Sequence, residues 1–299
     1  MHVFITGASG WVGSTAVDEF IAAGHAVTGL VRSAESAEAV SAKGATALRG
    51  DLDDLDSLRR GAADADAVVH LANKHDWANP AATNLAERTA VQTLGDALAG
   101  SGRAFVVASA LAGIIQGRPA TEADVSPAVG LDSMRGGSEN LTLEYADRDV
   151  RASVVRLAPS VHGLGDRRGF IPGIVRAAEQ DGTSAYIGDG ENVWAAVHAS
   201  DAARLIRLAV ERAPAGSRLH AVAEEGVSTR AIAEAIGAAF SLPVASIPQE
   251  AAAQQFGPVG RFFGLDLPAT AIATRTLLDW TPTGPTLFAD IASGAYSAL

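Results

Sequence analysis

Short apolar runs alternate with amphipathic stretches along the first half of the chain. Between residues 7 and 24, apolar side chains recur at the spacing of a helix that buries one face. Several runs are apolar at nearly every position, as strands are when helices cover both faces of a parallel sheet. The pattern predicts an α/β protein with a doubly wound parallel sheet of about seven strands. Six strands are predicted to begin at His2, Ala26, Ala45, Ala67, Ala104 and Ala152.

The second half is less regular. Glycine and proline interrupt the region 159–190, and a strand-to-helix pattern returns from Val193. The run "RLHAV", from Arg218, is a candidate seventh strand. We therefore expect a main doubly wound domain over 1–160 that also receives about 193–224. A smaller C-terminal substrate lobe is expected from the remaining ranges, 161–192 and 225–299.

Charge and composition exclude several classes of function. The net charge of −11 disfavours a broad nucleic-acid or anionic-membrane surface, because both partners are themselves negative. The chain has no cysteine, which excludes disulfides, thiolate metal sites and a cysteine nucleophile. A strand pattern begins almost at Met1, leaving no room for a secretion signal, and no apolar run reaches the ~18 residues of a membrane span. We expect a cytoplasmic protein with a small-molecule substrate and with neither nucleic-acid nor membrane partners; a homodimer is left open.

The stretch "TGASGWVG" places three glycines between the first predicted strand and the first predicted helix. Glycines let the backbone turn tightly and approach a diphosphate, while amides at the start of the helix donate to it. A glycine triplet alone is weak evidence, but its position after a strand and before a helix is the one that dinucleotide binding requires. The predicted loop residues are Gly7, Ala8, Ser9, Gly10, Trp11, Val12 and Gly13.

The end of the second strand bears on which dinucleotide binds. A ribose 2′-hydroxyl favours a carboxylate there, whereas a 2′-phosphate favours an arginine. The chain has Arg32 and Ser33 at this place and no acid before Glu35. We therefore expect NADP(H) rather than NAD(H); the alternative is a solvated arginine followed by a helix-capping serine. Further along the sheet, Asp51 and Leu52 are expected near the adenine, and Leu71, Ala72 and Asn73 beside the cofactor.

Together these motifs resemble the extended short-chain dehydrogenases/reductases, the superfamily that includes the NAD-dependent epimerase/dehydratase proteins. The resemblance rests on "TGASGWVG", "GDLDD", "VVHLA", "VVAS", "VVRLAPSVHG", "AAVHASDAARL" and "LLDWTPTGP", so it spans nearly the whole chain. It implies a Rossmann-like fold and a nicotinamide dinucleotide. It implies no single activity, because members reduce, epimerise, dehydrate or only bind cofactor. It also implies that Leu157, Pro159 and Val161 lie near the nicotinamide.

The catalytic pair of that superfamily is absent. The family uses a tyrosine, a lysine four residues later on the same helix, and a serine at the end of the fifth strand. This chain contains only Lys43 and Lys74, preceded at that spacing by Ala39 and His70. The resemblance is therefore to atypical members, in which the cofactor site survives and the proton relay is replaced or lost.

Within "LDSMRGGSE", the best alignment puts Leu131 at the tyrosine and Arg135 at the lysine, with Glu139 one turn further. Positions four apart lie on the same face of a helix, so we expect these three side chains to share one face. Arg135 can still contact the ribose hydroxyls, but Leu131 cannot donate a proton. Ser109 is the candidate for the serine, although an ungapped alignment puts Ala110 there.

His162 is the leading candidate for the missing proton donor. It follows the sixth strand, where the family places a loop against the nicotinamide, and an imidazole near its ordinary pKa of ~6.5 exchanges a proton at neutral pH. The alternative is a structural hydrogen bond beneath the loop. His75 and Asp76 follow the fourth strand and either line the substrate side or are solvated. Glu139 either takes part in proton transfer or pairs with a neighbouring arginine, and Tyr186 is a candidate from the later part of the chain. No metal-ligand spacing is present.

Three functions remain open from the sequence. The first is an NADP(H)-dependent oxidoreductase acting on a small carbonyl or an activated alkene, with Ser109, Arg135 and His162 as catalytic residues. An alkene tolerates the missing tyrosine better, because its proton goes to carbon after the hydride and can come from solvent. The second is a non-catalytic NADP(H)-binding sensor or scaffold. An epimerase or dehydratase acting on sugar nucleotides is a further alternative.

Overall fold

The computed structural model describes residues 1–297, which form twelve strands and twelve helices. The strands are β1 (His2–Thr6), β2 (Ala26–Val31), β3 (Thr46–Arg49), β4 (Ala67–His70), β5 (Ala104–Ala110), β6 (Arg151–Leu157), β7 (Ser160–His162), β8 (Ser184–Ile187), β9 (Val193–His198), β10 (Ser217–Ala221), β11 (Glu224–Ser228) and β12 (Val244–Ile247). The helices are α1 (Trp11–Ala22), α2 (Ala34–Ala42), α3 (Leu55–Ala63), α4 (Pro80–Leu98), α5 (Ser138–Glu144), α6 (Phe170–Asp181), α7 (Ala199–Arg212), α8 (Thr229–Phe240), α9 (Ala252–Phe256), α10 (Gly260–Phe263), α11 (Ile272–Leu278) and α12 (Leu287–Ala292). Within this range no helix is both long and apolar enough to span a lipid bilayer.

Seven of the strands form one parallel sheet in the order β10-β6-β5-β4-β1-β2-β3. The predicted doubly wound, Rossmann-like sheet is confirmed, including the seventh strand near Arg218. The strand order reverses beside β1, because the chain proceeds outward through β2 and β3 and then crosses to β4 on the other side. Ligands of such sheets bind in the crevice at this reversal, beyond the carboxyl ends of the strands.

Burial on both faces of the sheet explains the apolar runs in its strands. Val3 and Ile5 of β1 belong to a cluster with Phe20 of α1. Phe4, between them, points to the other side and packs in a cluster with Leu58 of α3. All five side chains are fully buried. Alternate strand positions therefore pack against opposite helical layers.

Two small sheets lie in the C-terminal lobe. β7 and β11 flank β9 in a three-stranded sheet, and β8 pairs with β12. β9 contributes to two apolar cores: Ala195 and Val197 pack in the core of the large sheet, whereas Trp194 and Ala196 pack in that of the small lobe. The chain then returns to the large sheet through α7 and β10. The domain boundaries inferred from the sequence stay a prediction.

Candidate active site

The turn between β1 and α1 is built from glycine and packs against the end of β4. Gly7 has a φ of +72°, and a Cβ built on it would lie 2.8 Å from the backbone nitrogen of Ala72. A Cβ on Gly13 would overlap the carbonyl oxygen of Gly7. Because a side chain fits at neither position, α1 can begin close to the point where the strand order reverses.

No side chain caps the start of α1. Its N-cap is the exposed Gly10, and among residues 1–297 no side-chain oxygen accepts a hydrogen bond from the first amides of the helix. Free amides and the positive end of the helix dipole favour an anion here. Trp11 donates its indole N–H to the carbonyl of Val161 at 2.9 Å, which brings two predicted cofactor residues together. The turn therefore fits the diphosphate of a dinucleotide.

The end of β2 carries an exposed arginine. The side chain of Arg32 is 76% exposed, and its Nε lies 3.9 Å from Oδ2 of Asp51. Ser33 is the N-cap of α2 and accepts from the amide of Ser36 at 3.1 Å. Leu52 is buried. Arg32 is therefore available to a phosphate, whereas the hydroxyl of Ser33 is engaged as a cap, and the preference for NADP(H) stays a prediction.

A buried carboxylate lies beside the carboxyl end of β4. Glu87 of α4 is 1% exposed, and its Oε1 accepts from Nη2 of Arg135 at 2.6 Å and from Nε at 3.2 Å. Its Oε2 accepts from Nδ2 of Asn73 at 2.9 Å. Burial by itself raises the pKa of Glu87, but Arg135 and His70 outweigh this effect and lower the pKa to about 2. Glu87 is therefore ionised, and it holds Arg135 and Asn73 in place.

The segment before α5 is not the helix expected from the sequence. Residues 135–137 have φ values of 54°, 61° and 65°, in the left-handed region, and α5 begins only at Ser138. Two consecutive glycines favour this turn because they lack a Cβ atom. The helix face predicted for Leu131, Arg135 and Glu139 is therefore wrong. Leu131 lies in an exposed turn, Arg135 contacts α4, and Glu139 contacts β5 and β6.

Glu139 forms a second buried ion pair. Its Oε1 accepts from Nη2 of Arg156 at 2.5 Å, and its Oε2 accepts from Oγ of Ser109 at 2.6 Å. Arg156 is fully buried, and its Nη1 lies 3.2 Å from Nε2 of His220. Burial lowers the pKa of His220, so the neutral ring accepts from Arg156 and donates through Nδ1 to the carbonyl of Thr270. The hydroxyl hydrogen of Ser109 is thus directed at Glu139.

His162 lies inside the small lobe. Its ring is fully buried, with Nδ1 2.6 Å from Oδ2 of Asp290 and Nε2 3.7 Å from Oε2 of Glu224. Burial lowers the pKa of His162, against the raising effect of Asp290. Among the described residues, no group of three or more His, Asp and Glu side chains is arranged to hold a metal ion. These contacts favour the structural interpretation of His162, and its role as a proton donor stays a prediction.

His75 lies next to the cluster around Glu87. Its backbone N–H donates to Oδ1 of Asn73 at 2.9 Å, and its φ of 50° is unusual for a residue with a Cβ. The ring is exposed to solvent, yet enough protein surrounds it that desolvation, followed by Arg135, lowers the pKa of His75. His75 follows the carboxyl end of β4, at the edge of the crevice beside the reversal of strand order, which we refer to as the cleft. The ring of Trp77 lies beside it, with centroids 6.1 Å apart.

Glu87 was not among the residues singled out from the sequence. It lies on the face of α4 that carries Val91, Leu94 and Leu98, all of them fully buried. An acid on an apolar helical stripe indicates a buried ion pair, because an unpaired charge there is too costly. That signal is present in the sequence. The partner Arg135 lies 48 residues further along, however, and no local pattern identifies it.

The fold is that of a Rossmann-like α/β protein. The chain belongs to the NAD dependent epimerase/dehydratase family, whose sequence profile matches residues 3–222. The resemblance inferred from the motifs is confirmed. A nicotinamide dinucleotide is the cofactor typical of this family.

Similar proteins cover between 72% and 99% of this chain. An uncharacterized protein of Schizosaccharomyces pombe is 41% identical over 297 residues, which are 99% of this chain and 100% of the relative. The 4-hydroxy-2-methyl-3-oxo-4-farnesyl-3,4-dihydroquinoline-1-oxide ketoreductase of Stigmatella aurantiaca is 28% identical over 72% of this chain and 66% of its own length. Among solved structures, MoeE5 in complex with UDP-glucose and NAD has a TM-score of 0.77 at 22% identity, covering 99% of this chain and 97% of that chain. The last of these shows the common fold.

Proposed function

We propose that this protein is an NADP(H)-dependent oxidoreductase that reduces a small carbonyl compound or an activated alkene. The observation that carries the proposal is the glycine turn, with its uncapped α1 beside the end of β4 at the reversal of strand order. A backbone of this form fits a diphosphate. A related chain named as a ketoreductase supports a reductive activity.

The residues around the turn suit the remaining parts of the cofactor. Arg32, whose guanidinium is mostly exposed, would bind the 2′-phosphate. Arg135 and Asn73, both held by Glu87, would donate to the hydroxyls of the nicotinamide ribose. When bound, the reduced nicotinamide supplies the hydride. The protein itself must then bind and orient the substrate and provide a route for the proton.

The source of the proton bears on the choice of substrate. At the position aligned with the family's tyrosine stands Leu131, which is 41% exposed and has no proton to give. His75 is an exposed imidazole next to Asn73, but its lowered pKa leaves it mostly neutral at neutral pH. Solvent is therefore the better source. An activated alkene fits this arrangement more closely than a ketone, because its proton is added to carbon and water can supply it.

A non-catalytic NADP(H)-binding role is the second candidate. It is favoured by the pair of Glu87 and Arg135, since the guanidinium at the position of the family's lysine is engaged by a buried carboxylate. In that case the oxidised and reduced cofactors bind with comparable affinities and no substrate turns over. A sugar-nucleotide epimerase or dehydratase has no specific support, because a likeness at 22% identity shows the fold alone.

The test is cofactor binding followed by turnover. Isothermal titration of the purified protein with NADPH, NADP⁺ and NADH measures binding. Loss of the absorbance of reduced nicotinamide, with a panel of aldehydes, ketones and enones, measures turnover. We expect NADPH to bind and an enone to be reduced. Binding without turnover across the panel supports the non-catalytic role, and a failure to bind either dinucleotide contradicts both candidates.

Arg32→Glu tests the choice between the two dinucleotides. Reversal of the charge should weaken NADPH binding by about tenfold or more, because it removes a partner of the 2′-phosphate and adds a repulsive charge. NADH binding should change little. Arg59→Glu, which makes the same change at an exposed position on α3, is the matched control. An unaltered affinity of Arg32→Glu for NADPH would show that the 2′-phosphate is bound elsewhere or not at all.

A further inference from the structure

Aromatic side chains form a continuous row from the cleft into the small lobe. Trp77, in the loop after β4, contacts Phe262 of α10, with ring centroids 5.5 Å apart and planes at 60°. Phe262 stacks on Phe170, at the start of α6, at 5.3 Å and 23°. Phe170 in turn lies 5.5 Å from the buried Trp194. Trp77 itself is 43% exposed, so the row ends in an open ring at the surface.

The open end of the row adjoins the polar groups of the cofactor site. The ring centroid of His75 is 6.1 Å from that of Trp77, and the backbone N–H of His75 donates a hydrogen bond to Asn73. Asn73, like Arg135, donates to the buried Glu87. An exposed aromatic ring thus lies beside a loop that carries polar groups of the candidate site. Such a combination is typical of a small-molecule site.

We propose that Trp77 and Phe262 form the wall of a substrate subsite that takes a flat, conjugated ring. The inference rests on the proposed function and names the substrate class for the same site. Aromatic rings prefer edge-to-face or offset-stacked contacts with centroids about 4.5–7 Å apart. The contact between Trp77 and Phe262 has this geometry and leaves part of the indole open. An aryl ring conjugated to the reacting alkene or carbonyl would pack against the open part of Trp77 as the next ring of the row.

The chemistry of the wall favours such a ring over a sugar. A hexose presents hydroxyl groups, each of which needs a polar partner when it is taken out of water. The phenyl rings of Phe262 and Phe170 offer only apolar faces and edges. Moreover, Trp77 follows a strand of the large sheet, whereas Phe262 belongs to the small lobe. A ring that packs against these two side chains would therefore contact the two sides of the cleft.

Two enones that differ by one ring test the subsite. Methyl vinyl ketone and benzylideneacetone, its phenyl-substituted analogue, carry the same reacting group, and only the second has a ring to stack. The wild type is compared with Trp77→Ala and with Trp77→Phe, which keeps a ring. Ile272→Ala removes an exposed apolar side chain on α11 and is the matched control. Calorimetry on protein loaded with NADP⁺ measures binding without turnover, and NADPH consumption gives KM.

Trp77→Ala should raise both Kd and KM for benzylideneacetone about tenfold, equivalent to about 1.4 kcal/mol, and Trp77→Phe should restore most of the affinity. The values for methyl vinyl ketone, the affinity for NADPH and all values for Ile272→Ala should stay within about twofold. Three outcomes would contradict the subsite and leave the proposed function unaffected. They are equal changes in Kd and KM for both enones, no change in either value, and tighter binding of UDP-glucose than of benzylideneacetone. Binding of benzylideneacetone that depends on Trp77, with no turnover of either enone, would support the subsite and count against the proposed function.

Discussion

Two buried glutamate–arginine pairs meet near the start of α5, and they differ in how far water can reach them. In the pair of Glu139 and Arg156 the side chains are 5% and 0% exposed, and we refer to it as the enclosed pair. In the pair of Glu87 and Arg135 the glutamate side chain is 0% exposed but the arginine side chain is 21% exposed, and we refer to it as the cleft pair. The enclosed pair joins α5 to β6. The cleft pair joins α4 to the left-handed turn before α5.

The difference distinguishes a pair that supports the fold from one that can serve a ligand. Arg156 uses all three of its nitrogens within the protein, on Glu139, His220 and the carbonyl of Asp124. Arg135 uses only Nε and Nη2 on its carboxylate, and within residues 1–297 its Nη1 makes no hydrogen bond. A guanidinium has five N–H donors, so the cleft pair keeps donors free for cofactor hydroxyls.

The largest effect is expected from breaking the enclosed pair. Arg156→Leu removes the main counter-ion of the buried Glu139 and leaves only Arg218, whose Nε lies 4.0 Å from Oε1, so the free energy of unfolding should fall by roughly 3 kcal/mol. Arg135→Leu makes the matching change in the cleft pair. Because Arg135 is partly exposed, water can fill part of the space it leaves, and Asn73 still donates to Glu87, so the cost should be about half as large. Urea denaturation of both variants measures the two losses, and equal values would show that exposure does not distinguish the pairs.

The next effect concerns how the stability contributed by the cleft pair depends on pH. The pKa of Glu87 is lowered from 4.5 to about 2, so the stability it contributes is complete above pH 4.5 and is lost as pH falls towards 2. The full contribution is about 3 kcal/mol, of which about 2 kcal/mol should disappear between about pH 5 and about pH 3. Glu87→Gln removes this titration.

Denaturation of wild type and Glu87→Gln at both pH values provides the test. Other carboxylates titrate in both proteins, so only the difference between the two profiles reports on Glu87. The wild type should lose more stability than the variant as pH falls. Parallel profiles would mean that Glu87 is not held ionised by Arg135.

A smaller effect should appear in cofactor binding, where only the cleft pair is expected to act. Arg135→Gln removes the donors that face the ribose and should weaken NADPH binding by about tenfold, or about 1.4 kcal/mol. Arg148→Gln, at an exposed arginine that pairs with Asp96, changes the net charge equally and should leave the affinity unaltered. Titration calorimetry gives both dissociation constants. If both variants bind NADPH with the affinity of the wild type, Arg135 stabilises the fold and does not contact the cofactor.

The sheet could be predicted from the sequence because its signals are local. Predicted strand starts at His2, Ala26 and Ala67 coincide with those of β1, β2 and β4, since buried parallel strands require continuous apolar runs. The turn at Gly7 was equally recognisable, because the glycines stand directly between a strand pattern and a helix pattern.

The turn at residues 135–137 could not be predicted in the same way. A spacing of four residues suggested a helix, yet Gly136 and Gly137 are residues that a helix interior disfavours. Both lie where a Cβ would meet other backbone, that of Asn84 in the first case and that of Gly130 in the second. Such packing between distant segments, like the partner of each buried glutamate, is set by the tertiary fold and leaves no local pattern.

The smallest effect is expected at Ser109, on the enclosed pair. Ser109→Ala removes the hydroxyl that donates to Oε2 of Glu139, but Nε of Arg156 still donates to that oxygen at 3.2 Å. The free energy of unfolding should therefore fall by only about 1 kcal/mol. Because the hydroxyl hydrogen is directed at Glu139 and away from any substrate, kcat for an enone should stay within about twofold of the wild type. Urea denaturation and steady-state kinetics measure the two quantities. A large loss of kcat with little loss of stability would show that Ser109 takes part in the reaction. The enclosed pair, which binds Ser109, would then be part of the catalytic machinery.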